Sequence, residues 1–98
     1  MSFQRTFPRT FSPGSILVHA PAASGVYGIS NHREWLVIQS SANIQADLLA
    51  YATGAESHEL SALMPTGFTF ETCHESIRHG RRDALVKQYL PVYTTSQS

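Results

Sequence analysis

Several features that would place a protein in a class at once are scarce in this sequence. A single cysteine, Cys73, excludes an internal disulfide framework and cannot form a cysteine zinc site by itself. Lys and Arg number 7, as do Asp and Glu, so no overall field draws the chain to nucleic acid. The longest apolar runs, SILV and WLVI, fall far short of the roughly 20 residues of a membrane-spanning helix. The first twenty residues also lack the apolar core of a secretory signal. We therefore expect one globular cytoplasmic domain without membrane contact.

The charges that are present are unevenly distributed. Most acidic residues occupy the middle of the chain, whereas all the basic residues except Arg33 lie near the two ends. If the ends meet in space, they form a modest basic patch that could contact DNA or RNA, although ordinary solvated surface charge explains the pattern equally well. The candidate nucleic-acid-binding residues are Arg78, Arg81, Arg82 and Lys87.

Five histidines invite a metal-binding hypothesis. Only His74, Glu75 and His79 cluster in sequence, and their spacing matches no zinc motif. A histidine metal site is therefore not expected.

Residues 1–20 are predicted to form an extended arm. Phenylalanines there alternate with arginines and prolines, and proline at this density opposes a helix. Within the arm, residues 15–19 (SILVH) are predicted to be a short strand at the edge of a sheet. The rest of the chain, residues 21–94, is predicted to be one domain, followed by a tail over 95–98.

The first half of that domain reads as a hairpin and a helix. Two runs rich in β-branched and aromatic residues, 25–30 and 34–39, are joined by the turn-forming segment 31–33. Apolar residues then recur at helical spacing up to residue 52, with Ser41 as the candidate N-cap.

The second half contains three further elements. Residues 56–64 show a short helical pattern that ends at Pro65. Residues 67–74 alternate as a strand does, and a final helix is predicted between Gly80 and Pro91. The fold class is therefore α+β: a small three-stranded antiparallel sheet flanked by helices, in the order β-β-α-α-β-α.

Two segments of this pattern resemble the motifs of the GIY-YIG endonuclease family. GVY at 25–27 resembles the first motif, and VIQSSANI at 37–44 is similar to the second motif with the asparagine-led helix start that follows it. The last helix ends in Pro91-Val92-Tyr93, as helices of that family end in Pro-x-Tyr. The resemblance spans residues 21–94. It implies phosphodiester hydrolysis assisted by a divalent metal such as Mg²⁺.

The residues that the family uses for catalysis are only partly present. Carried over position by position, the resemblance assigns catalytic tyrosines to Tyr27 and Tyr51. Val37 stands where the second motif has a tyrosine, Asp47 stands where the family has an arginine, and Arg82 stands where it has the metal-binding glutamate. The resemblance therefore implies the scaffold of a nuclease with a degenerate active site.

Three functional hypotheses follow. The first is a catalytically degenerate domain that binds nucleic acid or another protein and has no cofactor. The second is an active metal-dependent endonuclease with a rearranged site that uses Tyr27 and Tyr51, with Asp83 as a weak metal ligand and His32 or His79 in support. The third is an unrelated α+β protein-interaction domain, in which both tyrosines are packing residues.

Overall fold

The computed structural model describes residues 9–53 and 64–91. These residues form one antiparallel sheet with helices on both faces, which confirms the predicted α+β class. None of the described helices is long and apolar enough to cross a membrane. The helix predicted over 56–64 lies outside the described residues except for Met64. The elements are β1 (Arg9–Thr10), α1 (Pro13–His19), β2 (Gly25–Ser30), β3 (Trp35–Ser41), α2 (Ile44–Ala52), β4 (Gly67–Thr72) and α3 (Arg78–Tyr89).

The sheet has the order β1-β4-β2-β3, so β2 is paired on both sides and is buried along its whole length. The predicted hairpin of β2 and β3 forms around Asn31, whose side chain accepts hydrogen bonds from the backbone N–H groups of Arg33 and Glu34. The three predicted strands are present, and a fourth, β1, adds two residues to the outer edge of β4.

The strand predicted over residues 15–19 is wrong, because these residues belong to helix α1. The Ser12 side chain accepts a hydrogen bond from the Ser15 N–H, and Pro13 occupies the first turn. There proline sacrifices no hydrogen bond, and its fixed φ suits the helix. Ile16 is fully buried and joins the main hydrophobic cluster. This part of the predicted arm is thus a helix that packs on the domain.

Helix α2 begins two residues later than predicted. Its N-cap is Asn43, whose side chain accepts from the Ala46 N–H at 3.0 Å, while the Ser41 hydroxyl accepts from the Asn43 N–H. Ile44, Leu48 and Tyr51 are the buried residues of α2, and they pack in the main cluster with residues of β2 and β3.

Helix α3 begins before Gly80 and covers the opposite face of the sheet. Leu85 packs with Val26 and Ile38 in a smaller cluster, and the Tyr89 ring lies 4.8 Å from the Trp35 ring, centroid to centroid. The helix ends at Tyr89, and its C-cap residue Leu90 has a φ of 51° in the left-handed region, directly before Pro91.

Gly25, the first residue of β2, lies where two strands approach closely. A Cβ atom at this position would collide with the Glu71 carbonyl oxygen of β4 and lie 2.9 Å from Cδ1 of Ile44. Only glycine therefore allows β2 to pair with β4 and to receive α2 at the same point.

Candidate functional site

The two predicted catalytic tyrosines lie side by side. Tyr27 is in the middle of β2 and Tyr51 is in the last turn of α2, and their rings meet edge to face with centroids 6.2 Å apart. The exposed fractions of Tyr27 and Tyr51 are 2% and 9%, and both belong to the main hydrophobic cluster. Both rings therefore contribute to core packing.

A third and a fourth side chain extend this pair toward α3. Gln39 lies directly opposite Tyr27 in the pairing of β2 with β3, so their side chains share one face of the sheet. The Gln39 amide oxygen Oε1 accepts a hydrogen bond from Arg82 Nε at 3.4 Å. We call Tyr27, Gln39, Tyr51 and Arg82 the Tyr27 site. Sequence reasoning missed the role of Gln39, because nothing local in the sequence marks it as a partner for an arginine.

Among the residues that the structure describes, Arg82 has one charged partner, its neighbour in sequence. Its Nη1 donates to Oδ1 of Asp83 at 2.9 Å. The Asp83 side chain is 62% exposed, whereas that of Arg82 is 23% exposed. Asp83, predicted as a weak metal ligand, is thus paired with a cation that would repel a metal ion.

The two other departures from the family pattern border the same tyrosines. Asp47 lies in the first turn of α2, where a negative charge is favourable near the helix N-terminus, and it precedes Tyr51 by four residues on the same side of the helix. Val37 is buried opposite Ile29 in β2. The Val37 side chain cannot exchange a proton as a tyrosine can. Asp47 carries a negative charge where an arginine would carry a positive one, so neither position supplies the chemistry of the family residue.

The side chains of the Tyr27 site do not fit a divalent cation, because none of the four is a carboxylate. Mg²⁺ and Ca²⁺ bind several oxygen ligands, mainly carboxylates, carbonyls and water. Across residues 9–53 and 64–91, no three His, Cys, Asp or Glu side chains are grouped so that they could hold a metal ion. The carboxylate nearest in sequence to the expected metal-ligand position, Asp83, is paired with Arg82.

Arg81, the residue before Arg82, has a different environment. Its Nε and Nη2 donate to the two carboxylate oxygens of Glu71 on β4 at 2.5 and 2.7 Å, and the exposed fractions of the two side chains are 13% and 5%. The hydrogen bonds to Glu71 raise the pKa of Arg81, and burial acts against them. Arg81 therefore ties α3 to the sheet. The alternation of Thr69, Glu71 and Cys73 in the sequence is the signal that could have placed Glu71 on this face.

Further polar contacts fasten the first turn of α3. Arg78 Nη1 donates to the Ser24 hydroxyl at 3.1 Å, and His79 Nδ1 shares a hydrogen bond of 3.0 Å with the Ser40 hydroxyl. Lys87 is exposed in the last turn. All four predicted nucleic-acid-binding residues thus lie on α3, and their role in binding stays a prediction. His32 is exposed in the hairpin turn, at the other end of β3 from Ser40.

Sequence comparisons find no relative: no family model matches the chain, and no curated protein matches it. Solved structures do match it. The N-terminal GIY-YIG endonuclease domain of UvrC from Thermotoga maritima, as an Asn-to-Ala point mutant bound to its catalytic divalent cation, has a TM-score of 0.71 at 17% identity. The match covers 85% of this chain and 94% of that one. A Tyr-to-Phe mutant of the same domain has a TM-score of 0.70 at 17% identity and covers 85% and 96% of the two chains. This chain therefore has the fold of the GIY-YIG endonuclease domain.

Proposed function

We propose that the chain is a catalytically inactive relative of the GIY-YIG endonucleases that binds nucleic acid. The spacing of its tyrosines supports the kinship. Three of the matched UvrC structures carry Tyr-to-Phe substitutions, at positions separated by ten and then by fourteen residues. The same separations, counted from Tyr27, lead to Val37 and Tyr51. Two of the three tyrosines are thus retained at the same spacing.

The observation that carries the proposal is the position of Arg82. Through its hydrogen bond to Gln39, this residue reaches the strand pair that holds Tyr27. It is also the residue that the resemblance places where a metal-binding glutamate belongs. A guanidinium there repels a divalent cation and attracts a phosphate, so it opposes metal-assisted cleavage and favours phosphate binding.

The other departures add to this argument. Hydrolysis of a phosphodiester needs a positive charge facing the phosphate oxygens, and losing one such electrostatic element typically raises the barrier by about 3 kcal/mol. Asp47 puts a negative charge where the family has an arginine, and Val37 removes a hydroxyl. Loss of the arginine, the second-motif tyrosine and the metal ligand together leaves too little stabilisation of the transition state for ordinary cleavage.

Binding of nucleic acid needs fewer functional groups than cleavage does. Contacts to phosphate depend on accessible cations and weaken as salt rises, because each contact releases condensed counterions. On α3, Lys87 is exposed and the Arg82 side chain is 23% exposed, whereas Arg81 is held by Glu71. The expected partner is therefore the sugar-phosphate backbone of DNA or RNA, read without regard to base sequence.

The proposal is tested with the whole chain in two assays. Fluorescence anisotropy should detect binding to labelled single-stranded, duplex or branched oligonucleotides at low salt, with log Kd rising linearly with log salt. Incubation of plasmid or branched DNA with Mg²⁺ or Mn²⁺ should give no cleavage. If no oligonucleotide binds at low salt, the binding function is excluded.

The second candidate, an active endonuclease with a rearranged site, is favoured by the contact of Tyr27 with Tyr51. Under that candidate, cleavage should occur with Mn²⁺ or Mg²⁺ and should be lost in Tyr27→Phe. Such a result would replace the inactive assignment, whereas cleavage that survives Tyr27→Phe would point to a contaminating nuclease.

A further inference from the structure

We propose that Arg82 binds a backbone phosphate directly and without a metal ion, and that the phosphate displaces Asp83 from it. This inference rests on the proposed nucleic-acid binding and assigns its central contact. The disagreement between the metal expected from the fold and the donors present at the Tyr27 site is its starting point.

The free hydrogen-bonding capacity of Arg82 is the first argument. A guanidinium carries five N–H donors in a planar fork that matches two oxygens of a phosphate. Gln39 takes Nε through a long contact of 3.4 Å, and Asp83 takes Nη1. Among the described residues, Nη2 has no hydrogen-bond partner. Displacement of Asp83 would therefore present the Nη1 and Nη2 edge to a ligand while Gln39 keeps the side chain in place.

The weakness of the present ion pair is the second argument. Consecutive residues on a helix point about 100° apart, so the side chains of Arg82 and Asp83 do not face each other directly. Its carboxylate is also mostly exposed to water, where an ion pair gains little. A phosphate that accepts two charge-assisted hydrogen bonds from one guanidinium forms the stronger interaction.

The third argument is that Asp83 has an alternative partner. Lys87 lies four residues further along α3 and is exposed. An acidic residue four positions before a lysine is the favourable order for an ion pair on a helix. Asp83 can thus turn to Lys87 when a phosphate occupies Arg82, so the departing carboxylate need not face the incoming anion unpaired.

The experiment measures anisotropy with a labelled oligonucleotide in EDTA and in Mg²⁺, for the natural chain and for variants Arg82→Gln, Asp83→Asn and Arg33→Gln. Arg33 is an exposed arginine in the hairpin turn, so Arg33→Gln removes the same charge far from the Tyr27 site. Arg82→Gln should weaken binding about tenfold and lower the salt slope by about one. Asp83→Asn should strengthen binding several-fold, Arg33→Gln should change it less than about twofold, and EDTA should have no effect.

The outcomes separate this inference from the proposed function. Equal losses in Arg82→Gln and Arg33→Gln would mean that binding follows net charge alone, which overturns the role of Arg82 but keeps nucleic-acid binding. Binding that EDTA abolishes would overturn the metal-free contact in the same way. Weaker oligonucleotide binding by Asp83→Asn would show that Asp83 supports binding, which overturns the proposal that the phosphate displaces it. Absence of binding in every chain would overturn both proposals.

Discussion

The two faces of the sheet are held in different ways. The face that carries α1 and α2 is a continuous apolar cluster that includes Ile16, Phe68 and the Tyr27–Tyr51 contact. The face that carries α3 has a small apolar cluster around Leu85, and much of its attachment is polar, through Glu71, Ser24 and Ser40, while Arg82 reaches Gln39 on the edge strand β3. Packing therefore secures the first face, whereas charge and hydrogen bonding position the helix that carries the candidate binding residues.

Within the second face, two consecutive arginines illustrate a further division. Arg81 forms a bidentate pair with the buried Glu71, whereas Arg82 is held by an amide and an exposed carboxylate. Arg81 therefore stabilises the fold, and Arg82 is accessible to a ligand. Charge along α3 is thus divided between structure and surface at adjacent positions. Four measurements test the contrast between the two faces and between the two arginines.

The largest effect is expected on the apolar face. Phe68 is fully buried opposite Ile29, so Phe68→Ala should lower the free energy of unfolding by about 4 kcal/mol. Urea unfolding at low and at high salt measures the loss, which should be the same at both. Thr72→Ala, an exposed change on the same strand, is the control and should lie within about 0.5 kcal/mol of the natural chain. A salt-dependent loss in Phe68→Ala would contradict the assignment of this face to packing.

The next effect is expected at the buried ion pair. Glu71→Gln leaves the Arg81 charge without its carboxylate and should cost about 3 kcal/mol in chemical denaturation. The double variant Glu71→Gln/Arg81→Met removes the stranded charge as well and should recover most of that stability. If the double variant is less stable than Glu71→Gln alone, the loss of stability in Glu71→Gln does not come from the unpaired charge of Arg81.

Arg82 should matter far less for folding than its neighbour. Because its partners are a long contact to Gln39 and an exposed carboxylate, Arg82→Gln should change the unfolding free energy by less than about 1 kcal/mol. Arg81→Gln, measured in parallel by thermal and urea unfolding, is the matched control and should be strongly destabilising. Similar losses in the two variants would remove the distinction between a structural and an accessible arginine.

The smallest effect is expected at Cys73, which reports on the charge beside it. Burial, and then the negative charge of Glu71, raise the pKa of the Cys73 thiol. A raised pKa favours the protonated thiol, so alkylation by iodoacetamide should rise at a higher pH than for a free thiol. Glu71→Gln should move that rise to lower pH. A shift of that rise to higher pH would contradict the assignment of Glu71 as a charge that raises the pKa of the Cys73 thiol.

Local patterns predicted the central elements of the fold. The hairpin is marked by β-branched runs and by Asn31, and its observed first strand, Gly25–Ser30, matches the predicted range. The prediction for residues 15–19 was wrong, because the apolar run SILV fits a strand as well as it fits one turn of a buried helix. The deciding signal was the cap at Ser12 followed by Pro13, which acts through hydrogen bonds rather than through hydrophobic periodicity.

The candidate site was predictable only where its residues are close in sequence or have a family counterpart. Tyr27 and Tyr51 are such residues, and the structure brings them into contact. The contact of Arg82 with Gln39 joins residues 43 positions apart, and the pairing of Arg81 with Glu71 depends on how α3 crosses the sheet. No local propensity encodes such contacts, since they arise from tertiary packing.

Gly25 has a consequence for how such sequences are recognised. Its lack of a side chain is required by the approach of the Glu71 carbonyl oxygen and the Ile44 side chain, so steric exclusion alone accounts for the first letter of the GVY motif. A glycine of this kind would be retained by any chain that keeps the strand pairing, whether or not it cleaves a substrate. Motif searches anchored on it therefore sort sequences by backbone architecture, and activity must be assigned from positions such as 37, 47 and 82, which no steric requirement for glycine protects.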